Sequence, residues 1–163
     1  MLDLRAFLTG DTIVVDIVAA FAHAEKQQDD IYMWPPKEWY EARGPFDEPM
    51  CWHMTGTLYG RRTGASNWRD FFEDVILATP TLQMLRGQSE PTAYRSESSG
   101  LVLTHHIDDG RAVGKKVPMD ILLAHLAEHV LLKVSEPINA GDAFSYSNRT
   151  RIRRPFFILG GNS

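Results

Sequence analysis

The sequence predicts an α+β domain in which amphipathic helices of the first half give way to a sheet. Apolar residues recur at helical spacing through Ile13, Ile17, Val18, Phe21 and Ala24, and again through Trp68, Phe71, Phe72, Val75 and Ile76. From Leu82 onward the period changes to two. The longest alternating stretch, Gly100–Asp109, reads Gly-Leu-Val-Leu-Thr-His-His-Ile-Asp-Asp and is followed by Gly110. As a strand it places Leu101, Leu103, His105 and Ile107 on one face and Val102, Thr104, His106 and Asp108 on the other. The second face starts apolar and ends in an imidazole and a carboxylate two residues apart, an arrangement suited to the wall of an apolar cavity.

The chain has 163 residues, 44% hydrophobic and 23% charged, which suits one domain over 1–163 with a buried core. Residues 145–163 form a basic-apolar C-terminal tail carrying Arg149, Arg151, Arg153 and Arg154 before Pro-Phe-Phe-Ile-Leu. Such a tail can bind anions or a partner, or pack back on the domain or across a dimer. A net charge of −4 argues against general nucleic-acid binding. The single cysteine, Cys51, has no internal disulfide partner, which points to a reducing compartment. No apolar run reaches the ~18 residues of a membrane span, and the start, Met-Leu-Asp-Leu-Arg, lacks the features of a signal peptide. The expectation is a soluble cytoplasmic protein.

In order along the chain, Thr9-Gly-Asp-Thr12 offers N-cap candidates for a first helix that fades into Glu25–Asp30. Met33–Tyr40 fits a second, short helix with proline in its first turn, stopped at Gly44-Pro45. Its aromatic group, Tyr32, Trp34, Trp39 and Tyr40, either lines a pocket or packs as core or lid. Glu48–Thr57 reads as a strand, with Met50, Trp52 and Met54 on one face and Cys51, His53 and Thr55 on the other. Ser66 can cap a third helix, ended by Thr79-Pro80. Asp109-Gly110 is a turn signal. Met119–Val134 is open between two readings. It has strong helix formers and a helix's length, yet is apolar nearly all round, so two strands turning near Ala127-Glu128-His129 fit as well. In the second reading Val130, Leu132, Val134 and Glu136 share a face, and Pro137 sits at the strand end.

Three constellations can carry chemistry. His125-Leu-Ala-Glu128-His129 matches the inverted zinc-peptidase motif H-x-x-E-H, in which a helix puts both histidines on one face. That family's third, acidic ligand lies well downstream, and only Glu136 and Asp142 follow here. His53-Met-Thr55 resembles half of a two-histidine phosphoesterase signature whose second half is missing. Asp108 and Glu136 can reach one cavity if the segment between them makes two strands, with His106 beside Asp108. Carboxylates in different environments divide the roles of base and acid.

The order of helices, strand, helix and meander resembles the cone-shaped fold named after nuclear transport factor 2. More closely, the chain is similar to the limonene-1,2-epoxide hydrolase and SnoaL-like families, from about Ile13 to Phe144. Ser98-Ser-Gly-Leu-Val-Leu-Thr-His-His-Ile-Asp108 is similar to the epoxide hydrolases' Gly-Leu-Val-x-Thr-Glu-Arg-x-Asp run. Gly114-Lys-Lys-Val-Pro118 stands at the next strand, and Lys133-Val-Ser-Glu-Pro-Ile138 stands where the family has Trp-Arg-Asp-Tyr-Phe. The resemblance implies a curved mixed sheet on about three helices, enclosing an apolar pocket, with Met119–Val134 as two strands. It places His106 at the family's arginine, Asp108 at its base and Glu136 at its acidic partner. With Tyr59-Gly-Arg61 fixing the register, the water-positioning tyrosine and asparagine fall at Met50 and Trp52. Tyr40, His53 and Tyr59 are their candidate substitutes, and Leu132 completes the expected substrate wall.

The expected activity is therefore cofactor-independent and metal-free hydrolysis of an epoxide on an apolar small molecule. Asp108 would take a proton from water, Glu136 would give one to the epoxide oxygen, and His106 would bridge them. A sibling reading is an isomerase, cyclase or dehydratase acting on a polyketide- or terpene-like substrate. Another is a non-catalytic ligand-binding or oligomerising module, and a further one is a zinc hydrolase through His125, Glu128 and His129. A homodimer is expected from the fold and the apolar tail, and neither nucleic acid nor membrane is an expected partner.

Overall fold

The computed structural model describes residues 10–24, 31–44, 46, 48–54, 56, 57, 59–139, 141–147 and 149–153. Thr9, Glu25–Asp30, Pro45, Thr55 and the tail beyond Arg153 lie outside them. Among the described residues the fold is mixed α+β, with a curved sheet and four helices. In chain order the strands of the main sheet are β1 (Asp11–Ile17), β4 (Met84–Arg86), β5 (Ala93–Ser96), β6 (Val102–His106), β7 (Asp109–Gly114) and β8 (Leu132–Val134). They lie in the order β4-β5-β6-β7-β1-β8, and every pairing is antiparallel, where a mixed sheet was expected. Two small pairs stand apart from it: β2 (Tyr32–Met33) with β3 (Trp52–His53), and β9 (Ala143–Tyr146) with β10 (Arg149–Ile152).

The helices are α1 (Ala20–His23), α2 (Lys37–Arg43), α3 (Gly64–Leu77) and α4 (Lys116–His129). α3 follows its expected stripe, with Trp68, Phe72, Val75 and Ile76 buried and Phe71 packed beside them. It contacts α4, α1 and β4, while α4 also meets β7, so one face of the sheet is covered by helices. Beneath them, Ile13, Val15 and Ile17 of β1 join Leu101, Leu103, Met84, Tyr94 and Ala112 in the core. The helix α2 starts just after Pro36, which cannot donate an amide hydrogen anyway, and ends at Gly44, whose φ of +85° suits glycine.

Several local elements differ from expectation. The first helix is a strand: Ile13, Val15 and Ile17 are β-branched and alternate in burial, and β1 sits between β7 and β8, so sheet pairing outweighs the helical spacing. Among the described residues of the expected strand 48–57, only Trp52–His53 pairs, and both are exposed. The β6–β7 turn is Ile107-Asp108, with Ile107 at φ +56°, and Asp109-Gly110 already opens β7. Met119–Val134 is not two strands. It is the end of α4 followed by the single strand β8, because Met119, Leu122 and Leu126 bury a helical stripe against the sheet and α3.

Among the described residues no helix is long and apolar enough to cross a membrane. Cys51 is exposed and free.

Candidate functional site

The alternation of β6 is as expected, but its burial is reversed. Leu101, Leu103 and His105 face the helices, whereas His106 is exposed on the opposite, open face of the sheet. His105 is 4% exposed, edge-on to Phe72 and stacked on Tyr94 with ring centroids 5.1 and 5.8 Å away. Burial there pushes its pKa down to about 4, outweighing the opposing effect of the Ile107 backbone. The same core pushes the Tyr94 hydroxyl up to about 12, through burial and then the charge of Glu73. His105 is thus a neutral core residue, and the imidazole available to solvent is His106.

The position of the turn decides which carboxylate accompanies His106. Asp108 occupies the turn, and its carbonyl accepts the amide of Ile17 at 2.9 Å. The cross-strand partner of His106 is Asp109, the partner of Asp109 on β1 is Asp16, and the partner of Asp16 on β8 is Lys133. Cross-strand partners share a face, so His106, Asp109, Asp16 and Lys133 form one row across four strands. Lys133 Nζ lies 3.5 Å from Asp16 Oδ2, and Asp109 Oδ2 accepts the amide of Ser147 at 3.0 Å. The sequence does not reveal this row, since Asp109-Gly110 carries a turn signal and Asp16 falls within a helical apolar spacing.

The expected acid, Glu136, is exposed and lies two residues beyond β8. Val134 pairs with Val15 and Leu132 with Ile17, so Glu136 is near the level of Ile13, while Asp108 is bonded to Ile17. Four residues of strand separate them, roughly 13 Å. The fold therefore does not bring Asp108 and Glu136 to one bond, because α4 carries the chain across the helical layer where the two-strand reading kept it in the sheet.

The six expected substrate contacts also scatter. The Tyr40 hydroxyl donates to the Met50 carbonyl at 2.5 Å, and Trp52 stands edge-on to Trp39 at 5.7 Å, within an aromatic group around α2. His53 stacks on Tyr32 at 4.9 Å. Tyr59 is edge-on to Phe21 at 4.3 Å, and its hydroxyl pKa is raised by burial and then by Asp108 and Asp16. Tyr59 is thus electrostatically coupled to the carboxylates near the β6–β7 turn. Leu132 packs against the core. An open groove of about 570 Å³ lies at the other end of β6, lined by Leu85, Glu90, Ala93, Arg95 and Val102.

The sharpest cluster is on α4. The ligand atoms of His125, Glu128 and His129 all lie within 4.8 Å of one another, and the two imidazole centroids are 4.9 Å apart. Helical spacing accounts for this, since residues three and four apart stack on one face. His125 is half-buried, and its Nε2 lies 3.0 Å from the carbonyl oxygen of Val75 on α3. A carbonyl only accepts, so Nε2 carries the proton and Nδ1 keeps its lone pair for a ligand. This is the outer-shell arrangement that fixes the tautomer of metal-binding histidines. Glu128 and His129 are exposed, so the remaining coordination positions face solvent. Two histidines and one carboxylate suit a divalent transition ion and leave room for a water or substrate oxygen.

No family model, curated protein or solved structure matches the chain.

Proposed function

We propose that this protein binds a divalent transition-metal ion, zinc the first candidate, through His125, Glu128 and His129, and acts as a metal-dependent hydrolase. The observation that carries the reading is that His125, Glu128 and His129 hold their ligand atoms within 4.8 Å of one another, while the bond from His125 Nε2–H to the Val75 carbonyl fixes the His125 ring. Such an ion supplies Lewis acidity and lowers the pKa of water at neutral pH. His125 anchors it to a fixed point on α3, while His129 and Glu128 close the site from the last turn of α4. Titration of metal-free protein with Zn2+ against a chromogenic chelator tests this. One equivalent should bind to wild type and not to His125→Ala or His129→Ala, and hydrolysis of an activated ester should follow metal content. Wild type that takes up no zinc overturns the reading.

A second reading is favoured by the row His106–Asp109–Asp16. It keeps the cofactor-independent small-molecule enzyme of the limonene-1,2-epoxide hydrolase or SnoaL-like type, in a cone-shaped, pocket-enclosing fold, as a cytoplasmic homodimer. In it Asp109, adjacent to His106, takes the role of base that the resemblance gives to Asp108. Turnover of racemic epoxides that fails in Asp109→Asn and persists in Asp108→Asn supports it. Equal turnover in both variants overturns it.

A further inference from the structure

The groove beside β4 is used by neither reading. Its floor follows from strand register. Leu85 pairs with Arg95, Arg95 with Val102 and Ala93 with Thr104, so these side chains share the open face, from which Leu103 and His105 turn away. Leu85 is 46% exposed at the centre of its strand, and Ala93 and Val102 are half-buried beside it. The loop from Gly87 to Glu90 supplies the rest of the wall around about 570 Å³. The charged side chains of the rim already have partners: Arg86 pairs with Glu73 at 2.9 Å, Arg95 with Glu97, and Glu90 accepts the Thr92 hydroxyl at 2.6 Å. What remains unfilled is apolar, and it calls for an apolar occupant and not for an ion.

The hairpin β9–β10 delivers the chain to this same face. Tyr146 Oη lies 3.5 Å from Thr104 Oγ1 on β6, and β9 contacts β7. Just past β10, Arg153 is tied to the carbonyls of Gly10 and Ile138, beside the start of β1 where Asp11 pairs with Gly114. Val102 pairs with Val113, so this is also the Val102 end of β6. From there the sequence continues Arg154-Pro155-Phe156-Phe157-Ile158-Leu159. Strands β1 and β4 are four strand spacings apart, about 19 Å, and six extended residues span about 20 Å. Proline at 155 suits an extended course. Residues 1–9 fit less well, because Asp3 and Arg5 interrupt their apolar side chains and they join β1, not the hairpin.

We infer that the groove over Leu85, Ala93 and Val102 is a docking site for this chain's own segment Pro155–Leu159. The inference stands apart from the metal reading, since α4 covers the other face of the sheet. Disulfide trapping in the full chain tests it. In a Cys51→Ser background, Phe156→Cys, Phe157→Cys and Ile158→Cys are each combined with Leu85→Cys, or with Leu131→Cys at the exposed opposite edge of the sheet. After oxidation by oxidised glutathione, at least one Leu85→Cys pair should close within a single chain, in a yield about fivefold above every Leu131→Cys pair, because the bond demands close approach of the two sulfurs. Independently, Phe156→Ser combined with Phe157→Ser should shift the amide resonances of Leu85, Ala93 and Val102, leaving those of α4 and the circular dichroism unchanged. Equal yields at Leu85 and Leu131 overturn the inference, as does the absence of any Leu85 cross-link or a set of groove resonances that does not move. Cross-links that form only between two chains overturn it too, and assign the groove to a second copy.

Discussion

The indole Nε1–H of Trp68 donates to the carbonyl of Ile107 across 2.8 Å, tying helix α3 to the turn between β6 and β7. That turn decides which acid accompanies His106. With Ile107 in the left-handed region at φ +56°, the chain reverses over two residues, and Asp109 lands opposite His106. A β-branched residue there is strained. The bond from Trp68 is one of the contacts that hold it.

Trp68→Phe should therefore destabilise the protein by about 2 kcal/mol, from a lost hydrogen bond and a small void in a fully buried site. Urea denaturation measures this. If the turn is held by this bond, the amide resonances of Ile107 to Asp109 should shift more than those of the distant β4–β5 hairpin. An unchanged denaturation midpoint would remove Trp68 from that role.

Stability should depend on acid through His105. The unfolded imidazole titrates near 6.5 and the buried one near 4, so the unfolded chain binds the extra proton between those values. The contribution is fully present above pH 6.5 and is lost as the pH falls toward 4. Between pH 7 and pH 5 the loss is about 2 kcal/mol. Denaturant midpoints across that range should show the slope, and His105→Phe should flatten it. The same slope in the variant would assign the effect to other groups.

Backbone approach limits substitution on β7. A Cβ at Gly114 would meet Leu101 Cδ1 at 2.6 Å and Leu101 Cα at 3.2 Å, whereas one at Gly110 would meet Val15 Cβ at an ordinary 3.5 Å. Gly114→Ala should cost about 2 kcal/mol through overpacking, and Gly110→Ala distinctly less. Thermal melts of the two variants side by side check the order, and the reverse order would be fatal to it.

Zinc should act as a stabilising ligand if it binds at the end of α4. At a free concentration about 100 times its dissociation constant it would add about 2.7 kcal/mol. The melting temperature should rise with added Zn2+ and return on chelation in wild type. His125→Ala should abolish the response, and His106→Ala, on the opposite face of the sheet, should keep it. A rise of equal size in His125→Ala would place the metal elsewhere.

Much of the local order was legible in the sequence. The stripe of α3 and the alternation of β6 are carried by contiguous residues whose spacing encodes one period. The motif His125-x-x-Glu128-His129 was equally visible, but its geometry rested on whether 119–134 is a helix, which an all-round apolar composition leaves open. The helix follows from α4 having both the sheet and α3 to bury against.

What the sequence by itself determined is the class of the domain, its helical stripe from Trp68 to Ile76 and the face alternation of Leu101 to His106. Only the tertiary structure decided which face is covered. Period two separates His105 from His106 but carries no sign, and helix α3 supplies it by packing Phe72 over His105. The row from His106 through Asp109 and Asp16 to Lys133 joins strands that are distant in the chain. Its register comes from pairing across β6, β7, β1 and β8, and no single stretch of sequence holds that information.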